Sequence, residues 1–154
     1  MVNMKTFIVL VSLIIIATGN VLLPSTVEPV PPTQTFSVAG ILACDDYYAQ
    51  NVRVTLYQVV KTNTSYLPVK KILYRDEVDE TGSFNATTIV ENYLQVPVKL
   101  EFDHQCGMEN GCNAIDKIKF TSKQLQDGVV DLGLINLDSD TPLPAISTHY
   151  KFCF

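Results

Sequence analysis

Ten residues, "DHQCGMENGC" from Asp103 to Cys112, hold two thiols, an imidazole and two carboxylates. That combination allows three chemistries: a metal site, a redox pair or a disulfide staple. Zinc requires four ligands in paired short spacings, and Cys106 with Cys112 lacks a second close pair. Asp103 and His104 would have to complete the set. They sit at a strand end, where adjacent side chains point to opposite faces, so no metal ligands are assigned. The spacing is not Cys-x-x-Cys, which removes the thioredoxin type of redox centre. A bridge fits better, because Gly107 and Gly111 let the backbone turn sharply.

Which chemistry thiols adopt also depends on the compartment. The chain opens "MVNMKTFIVLVSLIIIATGN", with Lys5 ahead of an apolar run from Phe7 to Ala17 and small residues after it. This is a signal-peptide layout over residues 1–19, too short for the roughly 20 apolar residues of a membrane span, with cleavage expected before Asn20. Export to an oxidising, extracellular setting follows. Cleavage removes one base, Lys5, and no acid, so the net charge moves from −5 to −6. A mildly acidic chain without Lys/Arg runs has no electrostatic footprint for nucleic acid, and no integral membrane segment is expected after cleavage.

All four cysteines (Cys44, Cys106, Cys112 and Cys153) lie in the mature part, so two disulfides are expected. A Cys106–Cys112 bridge leaves Cys44 to join Cys153 across most of the domain. Chain entropy gives about 2 kcal/mol for the short loop and nearer 5 for the long one. Four cysteines permit three connectivities, and spacing alone does not remove the other two. Asn63-Thr64-Ser65 and Asn85-Ala86-Thr87 are N-glycosylation sequons that an exported chain can use.

Catalytic sets are not evident. His104 and His149 are the two histidines, neither belongs to a nucleophile motif, and both read as structural. "DEVDE", Asp76 to Glu80, lacks the ligand order of a calcium loop and reads as a solvated turn. No catalytic residue, metal or cofactor is assigned, and the chain is not expected to be an enzyme.

The framework that carries these residues has a period of two. Residues 20–35, "NVLLPSTVEPVPPTQT", contain four of the eight prolines and read as an extended linker. From Phe36 onward apolar residues alternate with polar ones: Phe36, Val38 and Leu42; Val52, Val54 and Leu56; Val96, Val98, Leu100 and Phe102; Ile118 and Phe120. Pro97 places its run at an edge or a strand start. Phe84 and Ala86 would point inward, turning Asn85 outward. "VVDLGLINL" alternates less cleanly, and "HYKFCF" puts Tyr150, Phe152 and Phe154 on one face. Turn signals between the runs favour a single antiparallel β-sandwich over residues 36–154. One short helix is expected at Thr121 to Asp127, where Thr121 and Gln124 have capping-box spacing and Gly128 can take the left-handed stop.

In this order the motifs Ser37-Val38-x-Gly40-x-Leu42-x-Cys44, Asn51-Val52-x-Val54-x-Leu56-Tyr57, Asp79-x-x-Gly82-x-Phe84, Leu100 to Cys106, Cys112 and Gly133-x-x-Asn136-Leu137 resemble the nematode transthyretin-like family, from about Phe36 to Cys153. The resemblance implies a secreted, disulfide-bonded, prealbumin-like (transthyretin-like) sandwich of about seven strands. Several surface positions depart from the family pattern: Tyr48-Ala49 stands where Pro-Ala is usual, Asp103-His104-Gln105-Cys106 where His-Asp-Cys is, and Asn113-Ala114 in place of a basic pair. Tyr150-Lys151-Phe152 replaces acidic and arginine residues before the last cysteine. A related fold is that of hydroxyisourate hydrolase, whose tail ends Tyr-Arg-Gly-Ser; "THYKFCF" does not match it. The expected role is therefore non-enzymatic extracellular recognition of a protein, cell-surface or lipid partner. The alternative is a carrier of a small hydrophobic ligand held between subunits or under Tyr150, Phe152 and Phe154.

Overall fold

The computed structural model describes residues 32–62, 67–138 and 146–153. The expected signal segment, residues 20–31 of the linker, the Asn63 sequon and Phe154 lie outside the described residues. Within them the chain forms nine strands and one helix: β1 (Thr33–Cys44), β2 (Tyr47–Tyr48), β3 (Arg53–Val60), β4 (Val69–Glu77), β5 (Ser83–Glu91), β6 (Val98–His104), β7 (Cys112–Lys119), α1 (Ser122–Asp127), β8 (Val129–Asn136) and β9 (Ile146–Cys153). β1 begins at Thr33, three residues inside the expected linker, because Thr33 to Thr35 already ladder with Glu91 to Ile89 of β5.

Two sheets face each other. In the first, β1 is central, antiparallel to β5 and, at its end, to β2; on its other edge it pairs parallel with β8. The second is antiparallel throughout, in the order β4-β3-β6-β7-β9. The alternation read from the sequence sets what lies between them. Phe36, Val38 and Leu42, then Val52, Val54 and Leu56, then Val98, Leu100 and Phe102 are all fully buried, joined by Phe84, Ala86, Ile118 and Phe120. Two edge-to-face ring pairs, Phe36–Phe120 at 5.0 Å and Phe84–Phe102 at 5.5 Å, tie the layers together. Pro97 stands just before β6, at a strand start as its missing donor requires.

The helix follows its caps. Thr121 accepts from the Gln124 N–H while the Gln124 side chain accepts from the Thr121 N–H, and Gly128 closes the turn at φ 77°. Leu125 is its buried anchor.

Three further features differ from the sequence reading. β4 was not legible: a bulge between Leu56 and Tyr57 in its pairing with β3 interrupts the alternation, and Lys70 and Lys71 mark it as an edge. Thr55 and Tyr57, expected to alternate outward from the buried face, are buried too. Tyr57 is covered by a long side chain from the neighbouring strand, Lys70, whose Nζ lies 4.1 Å above the ring.

The third difference is the disulfide pairing. The bridges are Cys44–Cys106 and Cys112–Cys153, with Cα separations of 5.4 and 4.0 Å, not Cys106–Cys112 and Cys44–Cys153. β6 and β7 form a hairpin whose glycine turn serves the chain reversal. At its two sides Cys106 meets the end of β1 in the opposite sheet, and Cys112 lies in register with Cys153 on the neighbouring β9. The first bridge spans the sheets and the second pins an edge strand. With sequence separations of 62 and 41, each contributes about 4 kcal/mol by chain entropy.

The D-x-x-G-x-F motif is the turn entering β5. The Asp79 carboxylate accepts from the Thr81 and Ser83 N–H groups at 2.8 and 2.9 Å and from the Thr81 hydroxyl. Those hydrogen bonds, the Thr81 hydroxyl first, hold its carboxyl below the usual range. Gly82 has φ +71°, and a Cβ there would collide with the Leu42 carbonyl oxygen. Gly82→Ala is expected to lower unfolding free energy by about 1–3 kcal/mol in a urea titration, from backbone strain alone or more with the clash; an unchanged midpoint would contradict this packing.

Candidate functional site

One end of the sandwich gathers most of the chemistry-bearing residues. Cys106 lies two residues beyond the end of β6, and its bridge to Cys44 clamps the β6–β7 turn against the end of β1. Beside it, Gln50, Asn51, Arg53, Asp103, His104, Gln105 and Asn113 line a cleft of about 220 Å³. Strand register explains the grouping, since Arg53 of β3 is the ladder partner of Asp103 of β6 and Asp103 that of Ile115 on β7. Arg53 Nη1 lies 3.7 Å from Asp103 Oδ2, the Asn113 amide donates to Asp103 Oδ1 at 3.5 Å, and the Gln105 amide donates to Asn113 Oδ1 at 2.9 Å. Asn51 takes a left-handed backbone, φ 55°, which amide side chains tolerate best after glycine. A second cleft shares Gln50 and Asn51 and continues to Val78, Asp79 and Glu80. Together they make a groove of amides, carboxylates and one guanidinium.

Beneath this groove lies a cluster absent from the sequence reading. His104 and Asp116 point into the core face, with side chains 0 and 2 % exposed. Cys106 N–H donates to His104 Nδ1 at 3.2 Å, so the ring proton sits on Nε2, which donates to Asp116 Oδ2 at 3.0 Å. The other carboxylate oxygen accepts from His149 Nδ1 at 2.6 Å, and His149 is half exposed. No local signal reveals this: Asp116 and His149 meet only because β9 pairs with β7. The structural role expected for both histidines is fulfilled for His104, which orients the loop carrying Cys106. His149 forms an Asp-His pair of the kind that can position a base. Among the described residues no Ser, Thr or Cys side chain hydrogen-bonds to it, and all four cysteines are bridged.

The residues considered as metal ligands are dispersed. His104 is buried inward while Asp103 turns to the groove, both sulfurs are oxidised, and the described residues contain no group of three or more potential ligands. "DEVDE" is divided between the end of β4 and the Asp79 turn. Asn85 is exposed on the outer side of β5, as expected. Of the aromatic tail, Tyr150 is exposed, and Lys117 Nζ lies 4.6 Å from its ring centroid. Lys117 and Lys70 also flank Glu101, which lies between them on the outer face of the second sheet. Burial, then the Glu101 charge, pushes the Tyr57 hydroxyl up to about 12.

Burial alone would push the Asp116 carboxyl up, but hydrogen bonds from His104 and His149 outweigh it and hold the group below its ordinary 3.8. The stabilisation from ionised Asp116 is therefore complete above that value and is lost as pH falls through the folded pKa. Asp116→Asn should cost about 1–3 kcal/mol at neutral pH by leaving a buried donor facing an amide N–H. In urea titrations the gap to the parent protein should narrow as pH falls below the ordinary carboxylate value of 3.8; a gap that stays constant with pH would contradict the assignment.

No curated protein matches the chain. The model of the transthyretin-like family matches residues 39–121, more than half of the 154 residues. The matched stretch carries the Asn51 strand, the Asp79 turn, Cys44, Cys106 and Cys112, and it ends at the helix cap Thr121. With a two-sheet sandwich, one short helix and two disulfides, a combination that fits an extracellular protein, the chain belongs to the transthyretin-like family.

Proposed function

We propose that the chain is a secreted, non-enzymatic recognition protein of the nematode type within this family, and that it binds a polar extracellular partner, a protein or cell-surface group, through the groove beside Cys106. The observation that carries this reading is the lining: Gln50, Asn51, Gln105 and Asn113 offer amides beside Arg53, Asp103, Asp79 and Glu80, on loops held by an inter-sheet disulfide. Amides supply both donors and acceptors, so such a surface reads hydrogen-bonding patterns rather than apolar volume. Rigid presentation reduces the ordering cost of binding.

The carrier alternative finds less support. The cleft beside α1, lined by Tyr93, Leu94, Val96, Pro97, Phe120 and Leu125 among others, measures about 140 Å³, below the roughly 300–1,000 Å³ of small-molecule pockets, and the cleft of about 430 Å³ at Val78, Asp79 and Glu80 is lined mainly by polar side chains. Hydrolysis lacks a described nucleophile beside His149.

The test is saturable binding of labelled, secreted protein to intact cells from its source. Arg53→Ala combined with Gln105→Ala should weaken binding about tenfold, the loss of 1.4 kcal/mol. Thermal stability should hardly change, because the exposed Arg53–Asp103 pair contributes only about 0–1 kcal/mol. Undiminished binding by this variant, or substrate turnover by the purified protein, would overturn the proposal.

A further inference from the structure

Outside the groove, the outer face of the first sheet combines exposed apolar side chains with a sequon. Ile41 and Leu134 are ladder partners across β1 and β8, and they are 37 and 64 % exposed. Val129, opposite Ser37, is 71 % exposed, and Ile89, opposite Thr35, is 63 % exposed. Between them the surface is low: Ser37, Ala39 and Thr87 have small side chains. Two sheets packing face to face need a flat surface that carries apolar side chains, and these four residues supply that on a face otherwise made of small and polar ones.

Asn85 stands on β5 at one edge of this sheet, at a level between the Ile41–Leu134 and Ser37–Val129 pairs. Its ladder partner is Ala39, and Ala39 pairs on its other edge with Asp131. Strand alternation turns Asn85 and Thr87 outward together, while Ala86 is fully buried. The Ser37 and Thr87 hydroxyls bond to each other at 2.9 Å, and the Asn85 Oδ1 lies 3.4 and 3.5 Å from them as the acceptor for the hydroxyl proton that remains. Its Nδ2 has no partner among the described residues.

We infer that Asn85 carries an N-linked oligosaccharide that covers Ile41, Ile89, Val129 and Leu134 and keeps this sheet from pairing with a second copy. The inference rests on the export proposed above, since the donor, an oligosaccharide bound to a lipid pyrophosphate, is met only in the secretory pathway. In the transfer, the Asn85 amide nitrogen bonds to the anomeric carbon of the sugar. The bond from that carbon to the pyrophosphate oxygen breaks, lipid pyrophosphate leaves, and the amide gives up one proton; no electrons are exchanged with another reagent. The modified Nδ2 then points to solvent over the strands on both sides of Ala39. Packing two such faces would bury a polar oligosaccharide without partners, which disfavours assembly through this sheet.

The full chain, expressed in a eukaryotic secretory host and recovered from the medium, tests both halves. After peptide N-glycosidase treatment in heavy-oxygen water, the peptide containing Asn85 should carry a labelled aspartate, separately from any label on the Asn63 peptide. Light scattering should give a monomer for the glycosylated protein. Folded protein trimmed with an endoglycosidase, and the Asn85→Gln variant, should both gain apolar-dye fluorescence and shift to larger, concentration-dependent masses. Trimming acts after folding, so a variant that fails to fold does not decide the result. Secreted protein with Asn85 unmodified, or trimmed protein that stays monomeric and dye-silent, would overturn the inference while leaving export intact. Unmodified protein confined to the cytosol would overturn both.

Discussion

The Cys44–Cys106 bridge is the constraint on which the functional end of this molecule depends. It is the covalent link between the two sheets, joining the last residue of β1 to the residue two beyond His104 at the end of β6. Elsewhere the sheets meet through non-covalent contacts, the packing of Phe36, Phe102 and Leu100 and polar links such as Gln58 to the Glu91 carbonyl and Lys71 to the Glu91 carboxylate. A loop cluster without a core beneath it would otherwise sample many conformations, because exposed backbone is the least protected part of a fold. The bridge removes that freedom where Gln105 and Asn113 face Asn51 and Arg53.

The buried polar residues extend the same constraint inward. His104 links the Cys106 N–H to Asp116, and Asp116 links onward to His149 of β9, itself tied to β7 at Cys112–Cys153. Every member has a partner, and no buried side-chain nitrogen or oxygen among the described residues lacks one. A satisfied network of this kind favours one arrangement, since any shift of β9 or of the Cys106 loop would strand a donor in a low-dielectric interior. Gln58 shows the same economy, donating from the core face to the Glu91 carbonyl at 2.7 Å.

Much of the framework was legible because local chemistry decided it. Period-two alternation placed Phe36, Val54, Leu100 and Ile118 in the core, and the Thr121, Gln124 and Gly128 signals bracketed α1 to within one residue. β4 escaped because its bulge breaks the period and its lysines suit an edge rather than a core. The disulfide partners escaped for a different reason: loop length and glycine content describe only local closure, whereas pairing follows which strands become neighbours. Once β9 lies beside β7, Cys112 faces Cys153, and Cys106 is left to meet Cys44. The Asp116–His149 contact depends on that same long-range register. Of the groove, the sequence exposed Asp103, His104 and the cysteines as a cluster worth attention; Gln50, Asn51 and Arg53 join it only through the β3–β6 ladder.

The groove's rigidity, the buried relay and the pinning of β9 all require one connectivity of the four cysteines, so a direct determination of that connectivity is the most telling measurement. Proteolysis of the unreduced protein followed by mass spectrometry of the linked peptides should recover Cys44 joined to Cys106 and Cys112 joined to Cys153. Recovery of Cys106 joined to Cys112, with Cys44 joined to Cys153, would contradict it.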